Sequence, residues 1–298
     1  MIRMRRLEVR IAIVLVALLS STLWLTAAHA AQPANPKLKE EVSKQEEIYR
    51  SLKSVEGYTV DRSLDIYTQG LPSEFGPALA SLGPTDRWLD IGAGEGRAIL
   101  GYYSPGYEQA RPEVQKKRRG KAKAVAISIE DRRTQLWRSI AADLEENQIQ
   151  YLFDKPLRAY SLTELGKFQV ITDVIGGFSY TANISLFMEK VLAFLELNGS
   201  FFTVLQDVQQ EDGTNRPFYP GSPFLTEIRN PDGSDMKICT WLKRITCAEV
   251  ACESRGDWEP PMEAFRVRKT CNDVKVPALA TVHYQAGTPP ERRFQLKD

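Results

Sequence analysis

Between residues 87 and 97 the chain reads Arg87-Trp88-Leu89-Asp90-Ile91-Gly92-Ala93-Gly94-Glu95-Gly96-Arg97. Glycines at alternate positions let a backbone turn tightly, adopt positive φ, and approach a ligand with no Cβ in the way. Asp90, placed just before the first glycine, would repel a diphosphate and attract a cation. Further on, Glu130, Asp154 and Asp173 each follow a short apolar run. Singly, such acids serve as helix N-caps; in series after successive apolar runs they favour a shared site. The spacing excludes a dinucleotide fingerprint. Gly-x-Gly-x-x-Gly would need glycine at 97, where Arg97 stands, and Gly96 arrives one residue early.

These acids need a frame. Apolar runs at 87–91, 124–129, 148–153, 168–172 and 200–205 read as strands, and the stretches 97–103, 134–147 and 183–197 read as helices, the last closed by a turn at Asn198-Gly199. Strands without a polar face, alternating with helices, indicate a parallel sheet covered on both sides. Ligands in such sheets bind beyond the carboxyl ends of the strands, which gathers Asp90, Glu130, Asp154 and Asp173 at one edge. Residues 73–82 also read as a helix. The stretch 58–67, rich in groups that could face a pocket, reads as a connection.

The run from Asp90 to Gly96 resembles the first motif, Asp-x-Gly-x-Gly-x-Gly, of the class I S-adenosylmethionine-dependent methyltransferases, and the resemblance extends over residues 88–205. It implies an α/β, Rossmann-like, mostly parallel seven-stranded sheet with helices on both faces, an antiparallel C-terminal hairpin and added C-terminal segments. It implies S-adenosylmethionine as cofactor. Asp90, Gly92, Ala93, Gly94 and Gly96 would hold its aminocarboxypropyl end and Glu130 its ribose hydroxyls. Asp154 would lie near the adenine amine, and Asp173 where cofactor and substrate meet. Three features depart from the pattern. Glu130 lies far beyond Gly96 because of an insertion at 104–123, Lys155 follows Asp154 where the family has a small residue, and Asp173-Val174-Ile175-Gly176 is not the Asn/Asp-Pro-Pro-Tyr/Phe of enzymes that methylate nucleobase or glutamine amino groups. Methyl transfer chiefly needs a nucleophile held in line in a site closed to water, so no catalytic residue is assigned. Phe178 and Tyr180 either wall the substrate pocket or pack. The methyl acceptor is an unknown small molecule or protein. The competing reading is an exported, non-catalytic module that binds an adenosine-like or other polar ligand.

The whole chain sets the remaining bounds. With 298 residues, 43% hydrophobic, it can bury a substantial core, and 39 Lys plus Arg against 38 Asp plus Glu gives no general argument for nucleic acid as a partner. A basic run at 116–123 reads as a solvated insertion or a contact for an acidic partner. Residues 1–30 have a basic head, an apolar run and the small-residue pattern Ala28-His29-Ala30 of a secretory signal peptide, or of an uncleaved anchor, the one route to membrane contact. The expected organisation is therefore a leader at 1–30, an N-terminal helical segment at 31–85, and a methyltransferase-like domain at 86–298, with its core at 86–207 and C-terminal strands and additions at 208–298. The expected location is periplasmic or secreted. After the leader only His283 remains, too little for a hydrolase triad or a histidine-rich metal site.

The 225–229 and 236–242 runs flank a turn at 230–233, and 245–253 with 264–270 reads as an antiparallel hairpin. Four cysteines, Cys239, Cys247, Cys252 and Cys271, suggest disulfides in an exported chain. If 245–253 is one strand, Cys247 and Cys252 point to opposite faces and cannot pair; Cys247 with Cys271, across the hairpin, is preferred. Only the interval from Cys247 to Cys252 approaches a zinc-ligand spacing.

Overall fold

A computed structural model describes residues 62–104, 120–205, 225–255, 262–285 and 291–297. The leader, residues 31–61 of the N-terminal segment, most of the basic insertion and residues 206–224 lie outside the described residues. In chain order the elements are α1 (Leu64–Gly70), α2 (Phe75–Ala80), β1 (Arg87–Ile91), α3 (Arg97–Tyr103), β2 (Lys123–Ile127), α4 (Gln135–Ala142), β3 (Ile149–Leu152), α5 (Leu162–Leu165), β4 (Phe168–Val174), α6 (Gly177–Tyr180), α7 (Ile184–Phe194) and β5 (Leu195–Leu205). Then follow β6 (Leu225–Arg229), β7 (Asp235–Met236), α8 (Ile238–Leu242), β8 (Ala248–Arg255), β9 (Met262–Lys269), β10 (Leu279–Gln285) and β11 (Glu291–Leu296). No helix among the described residues is long and apolar enough to cross a membrane.

The main sheet runs β3-β2-β1-β4-β5-β9-β8. Its first five strands are parallel, β9 lies antiparallel to β5, and β8 antiparallel to β9. This is the expected Rossmann-like α/β sheet with its antiparallel hairpin. The chain steps outward from β1 to β3 and returns through β4 on the other side of β1, so the strand order reverses between β1 and β4, where such sheets open a crevice. Two-residue periodicity sends β1 side chains to both faces. Trp88 joins a cluster with Tyr67, Phe75 and Ile99 from α1, α2 and α3, while Leu89 and Ile91 join Ile184, Met188 and Val191 of α7. Burial on both faces is why these strands read as continuous apolar runs.

Helix ends follow local chemistry. Thr134 accepts the Trp137 N–H to start α4, Asn183 accepts the Leu186 N–H to start α7, and Ser161 and Glu164 form a reciprocal capping box on α5. Lys269 reaches across from β9 and donates to the Leu192 and Leu195 carbonyls at 3.0 and 3.2 Å, satisfying the end of α7.

Several expected boundaries shift. The helix expected over 134–147 stops at Ala142, and the one expected over 183–197 stops at Phe194, with β5 beginning at once. Asn198 and Gly199 are no turn between elements. Phe168 pairs with Leu195 and Val170 with Ser200, so the extra residues form a bulge inside β5, and Asn198 takes a φ of 66° there. The 236–242 run forms the short β7 followed by α8. The C-terminal additions build a second sheet, β10-β11-β6-β7. Its Ile228, Met236, Leu279 and Phe294 enter the same apolar cluster as Phe187, Val191 and Phe201.

All four cysteines form disulfides. Cys247 pairs with Cys271, as expected across the hairpin, and Cys239 on α8 pairs with Cys252 on β8, with Cα separations of 4.9 and 6.2 Å. Both lie within the range a disulfide spans.

Candidate functional site

The glycine turn leaves β1 with Gly92, Gly94 and Gly96 at φ values of 72°, 56° and 75°, a region open to glycine and strained for other residues. The turn is anchored to β2: the Gly92 and Ala93 N–H groups both donate to the Ile127 carbonyl, at 2.9 and 3.1 Å. The three glycines then divide. Gly92 is exposed, whereas Gly94 and Gly96 are buried. The Tyr151 hydroxyl donates to the Gly94 carbonyl, and the Trp137 indole fills the space a Cβ at Gly96 would need. Gly92 is constrained as well, because a Cβ there would come within 2.6 Å of the Gly176 Cα. The pattern therefore serves packing at Gly96 and backbone exposure at Gly92.

Asp90 sits fully buried beneath this turn. The Tyr67 hydroxyl on α1 donates to its two carboxylate oxygens at 3.0 and 3.1 Å, and the Thr172 hydroxyl on β4 donates at 2.7 Å while accepting from the Trp88 indole N–H at 2.8 Å. Burial pushes the Asp90 carboxyl up to about 7 against the opposing effect of the Thr172 and Tyr67 hydrogen bonds, and the Asp173 charge adds to the rise. The carboxylate thus faces a closed polar network and does not line the cleft.

Asp173 is also fully buried, within β4 rather than after it. It accepts the Gly176 and Phe178 N–H groups at 2.9 and 3.0 Å, fixing the loop that leads into α6. Burial pushes its carboxyl to about 7, opposed by the loop amides and by the Arg292 charge. Phe178 does not wall a pocket; it packs in the core, its ring centroid 5.9 Å from Phe187 and 6.2 Å from Phe201. Tyr180 is half-buried and its carbonyl accepts the Tyr284 hydroxyl at 3.1 Å.

A cleft open to solvent lies beyond the carboxyl ends of β1 and β2. One wall is Ile91, Gly92, Ile127, Ser128 and Ile129; opposite stand Pro156, Leu157 and Arg158, with Gly177, Thr181 and Phe187 from the region after β4. Of the expected ligand residues, Gly92 lines it directly. Glu130 follows Ile129, half-buried, and its carbonyl accepts from Tyr151 at 3.3 Å. Asp154 is exposed at a φ of 69° and lines a neighbouring groove with Tyr160 and Glu164. Lys155 is shared by both clefts; its ammonium lies 2.7 Å from Glu164 and 4.0 Å from the Tyr160 ring centre. All four acids lie at the carboxyl edge of the sheet, at or just after the ends of β1 to β4, but they do not converge on the cleft. Asp90 ties α1 to β4, Asp173 holds the loop after β4, and Asp154 lines the neighbouring groove. Sequence reasoning missed Tyr67, Ser128, Thr172 and Thr181. Of these only Tyr67 left a signal, in the polar stretch 58–67.

No protein-family profile and no curated protein sequence matches the chain. Among solved structures it is similar to the N-methyltransferase NodS of Bradyrhizobium japonicum in complex with S-adenosyl-L-homocysteine, at 11% identity and a TM-score of 0.41, covering 76% of this chain and 98% of that one. It is similar to an rRNA methylase of Streptococcus thermophilus, at 12% identity and a TM-score of 0.37, covering 72% and 100%. A third is TrmN of Thermus thermophilus, at 15% identity and a TM-score of 0.34, covering 64% of this chain and 46% of that one, so that the match spans less than half the length of TrmN. What bears on function is the chain's own strand order and site geometry.

Proposed function

We propose that this protein is an S-adenosylmethionine-dependent methyltransferase acting on a small-molecule or protein acceptor. One observation carries the reading: a turn of Asp-x-Gly-x-Gly-x-Gly spacing leaves β1 where the strand order reverses, and a cleft opens directly beside its exposed Gly92. The residues present suit the cofactor. Ile91, Ile127, Ile129 and Leu157 offer an apolar slot for a purine, and Ser128 with Glu130 offers polar groups for ribose hydroxyls. When bound, the cofactor supplies an electrophilic methyl group on a sulfonium. The chain's own task is to bind, to orient the acceptor and to exclude water. The disulfides support the exported location.

A second reading, a non-catalytic module for an adenosine-like ligand, draws on the charges. Asp90 and Asp173 are engaged in internal hydrogen bonds, and the charged residues lining the cleft are Arg158 and Lys155, the latter with its ammonium paired to Glu164, with no carboxylate among its described lining residues. That balance suits an anionic adenosine nucleotide better than a sulfonium.

Calorimetry of the chain without its leader separates the two. The methyltransferase reading expects S-adenosylmethionine and S-adenosylhomocysteine to bind more tightly than adenosine monophosphate, and Ser128→Leu, which puts bulk into the cleft, to weaken both by at least about tenfold. Tighter binding of the nucleotide supports the second reading. Absence of heat with both sulfur ligands at about millimolar concentration overturns the first.

A further inference from the structure

The loop after β4 supplies the Gly177 and Thr181 walls of the cleft, and its backbone is held from two sides. From the main sheet, Asp173 accepts its N–H groups at Gly176 and Phe178. From the C-terminal sheet come donors to its carbonyls. Arg292 on β11 extends one guanidinium nitrogen to the Phe178 and Thr181 carbonyls, at 2.8 and 3.2 Å, and another to the Thr226 hydroxyl on β6. On β10, Tyr284 donates to the Tyr180 carbonyl at 3.1 Å and Thr281 to the Ala182 carbonyl at 2.5 Å.

Arg292 is 1% exposed. Removing a guanidinium from water is costly, and an apolar side chain of similar volume would fill the space without that cost. What the guanidinium adds is direction, because its planar fork fixes its acceptors relative to one another. Here the fork joins two carbonyls of the cleft loop to a hydroxyl of the C-terminal sheet. Its charge also acts on the buried Asp173 carboxylate, which grips the same loop by its amides.

We propose that Arg292 is a positioning residue for the cleft, through which the C-terminal sheet fixes where Gly177 and Thr181 stand and so shapes the ligand site. The inference rests on reading the cleft as that site. It makes the C-terminal sheet a working part of the site, although β11 contributes no residue to the cleft lining.

The test compares Arg292→Met, which keeps bulk and loses the fork, with Arg292→Lys, which keeps charge and part of the donation. Both are made in the leaderless chain with disulfides intact. Hydrogen exchange of peptides covering 175–183 reads the loop, and calorimetry with S-adenosylhomocysteine reads the site. In Arg292→Met, exchange of the loop amides rises about tenfold with β1 and β2 unchanged, and affinity falls about tenfold; Lys restores part of both. Loop exchange and affinity both within about twofold of the parent overturn the proposal. If Arg292→Met does not fold, Tyr284→Phe removes a single hydroxyl from the same clamp. Exchange at 180–183 should then rise by about threefold, and an unchanged rate overturns the proposal. Should the parent chain fail to bind S-adenosylhomocysteine while Arg292→Met still loosens the loop, the clamp stands and the cofactor reading falls. Should the parent bind, with loop and affinity indifferent to Arg292, the clamp alone falls.

Discussion

The parallel strands and the C-terminal region hold their shape by different chemistry. Around β1 and β4, two carboxyls lie fully buried and each joins separate elements, Asp90 linking α1 to β4 through Tyr67 and Thr172 and Asp173 holding the amides of the loop after β4. Around β6 to β11, two disulfides and a buried guanidinium take that part: Cys239–Cys252 ties α8 to β8, Cys247–Cys271 closes the base of the β8–β9 hairpin, and Arg292 joins the second sheet to the cleft loop. One region therefore answers to protons and the other to reductant. The difference teaches that the two can be loosened separately, with Arg292 and the cleft loop as the place where loosening one should be felt by the other.

The largest effect should come from pH. Each of the two carboxyls titrates near about 7 in the folded chain against an ordinary value of 3.8, so between those limits the folded chain keeps protons the unfolded chain has released. Their contribution to stability is full below the ordinary value and is lost as pH rises through about 7. Within that window each pH unit removes up to about 1.4 kcal/mol per carboxyl. Urea unfolding should therefore show greater stability at about pH 5 than at about pH 7.5, with the difference reduced in Asp90→Asn and in Asp173→Asn. Equal slopes in parent and both variants would remove the carboxyls from the comparison.

Reductant comes next. The disulfides close loops with sequence separations of 13 and 24, and loops of such length are stabilised by about 3 kcal/mol each. The double variant Cys239→Ser/Cys252→Ser should lose about that much in denaturant, with faster hydrogen exchange in α8 and β8 and little change in β1 to β3. Exchange that rises equally in β1 and β8 would show one cooperative unit where the chemistry suggests two.

The same division governs what the sequence discloses. The parallel strands are legible because burial on both faces leaves long apolar runs, and the turn because its φ values favour glycine. The second sheet is not. In β11 the run Glu291-Arg292-Arg293 hides its inward residue among charges, and β11 pairs in parallel with β6, far away in the chain. At the site, the acids were found but their directions were not. Whether Asp90 meets a ligand or Tyr67 depends on α1, which packs over it from an earlier stretch with no periodic signal of its own. Whether Asp173 lines the cleft depends on β4 running to Val174, beyond the expected end. Arg292 was invisible for a further reason: its partners in the cleft loop are main-chain carbonyls, which leave no mark on residue type.

The smallest effect tests the parallel region on the Lys155 side of the cleft. Glu164 accepts the Ser161 N–H at 2.7 Å within the α5 capping box and meets the Lys155 ammonium at the same distance. Its carboxyl is held down at about 2, first by Lys155 and then by Ser161. The ion pair is exposed and contributes little by itself, so the cap is the stronger element. Ser161→Ala should cost about 1 kcal/mol in urea unfolding. Because the Lys155 ammonium is paired with Glu164, the substitution should leave S-adenosylhomocysteine affinity within about twofold of the parent. A larger loss would mean that the cap on α5 sets the Lys155 side of the cleft, giving the parallel region a second positioning device opposite the Arg292 clamp.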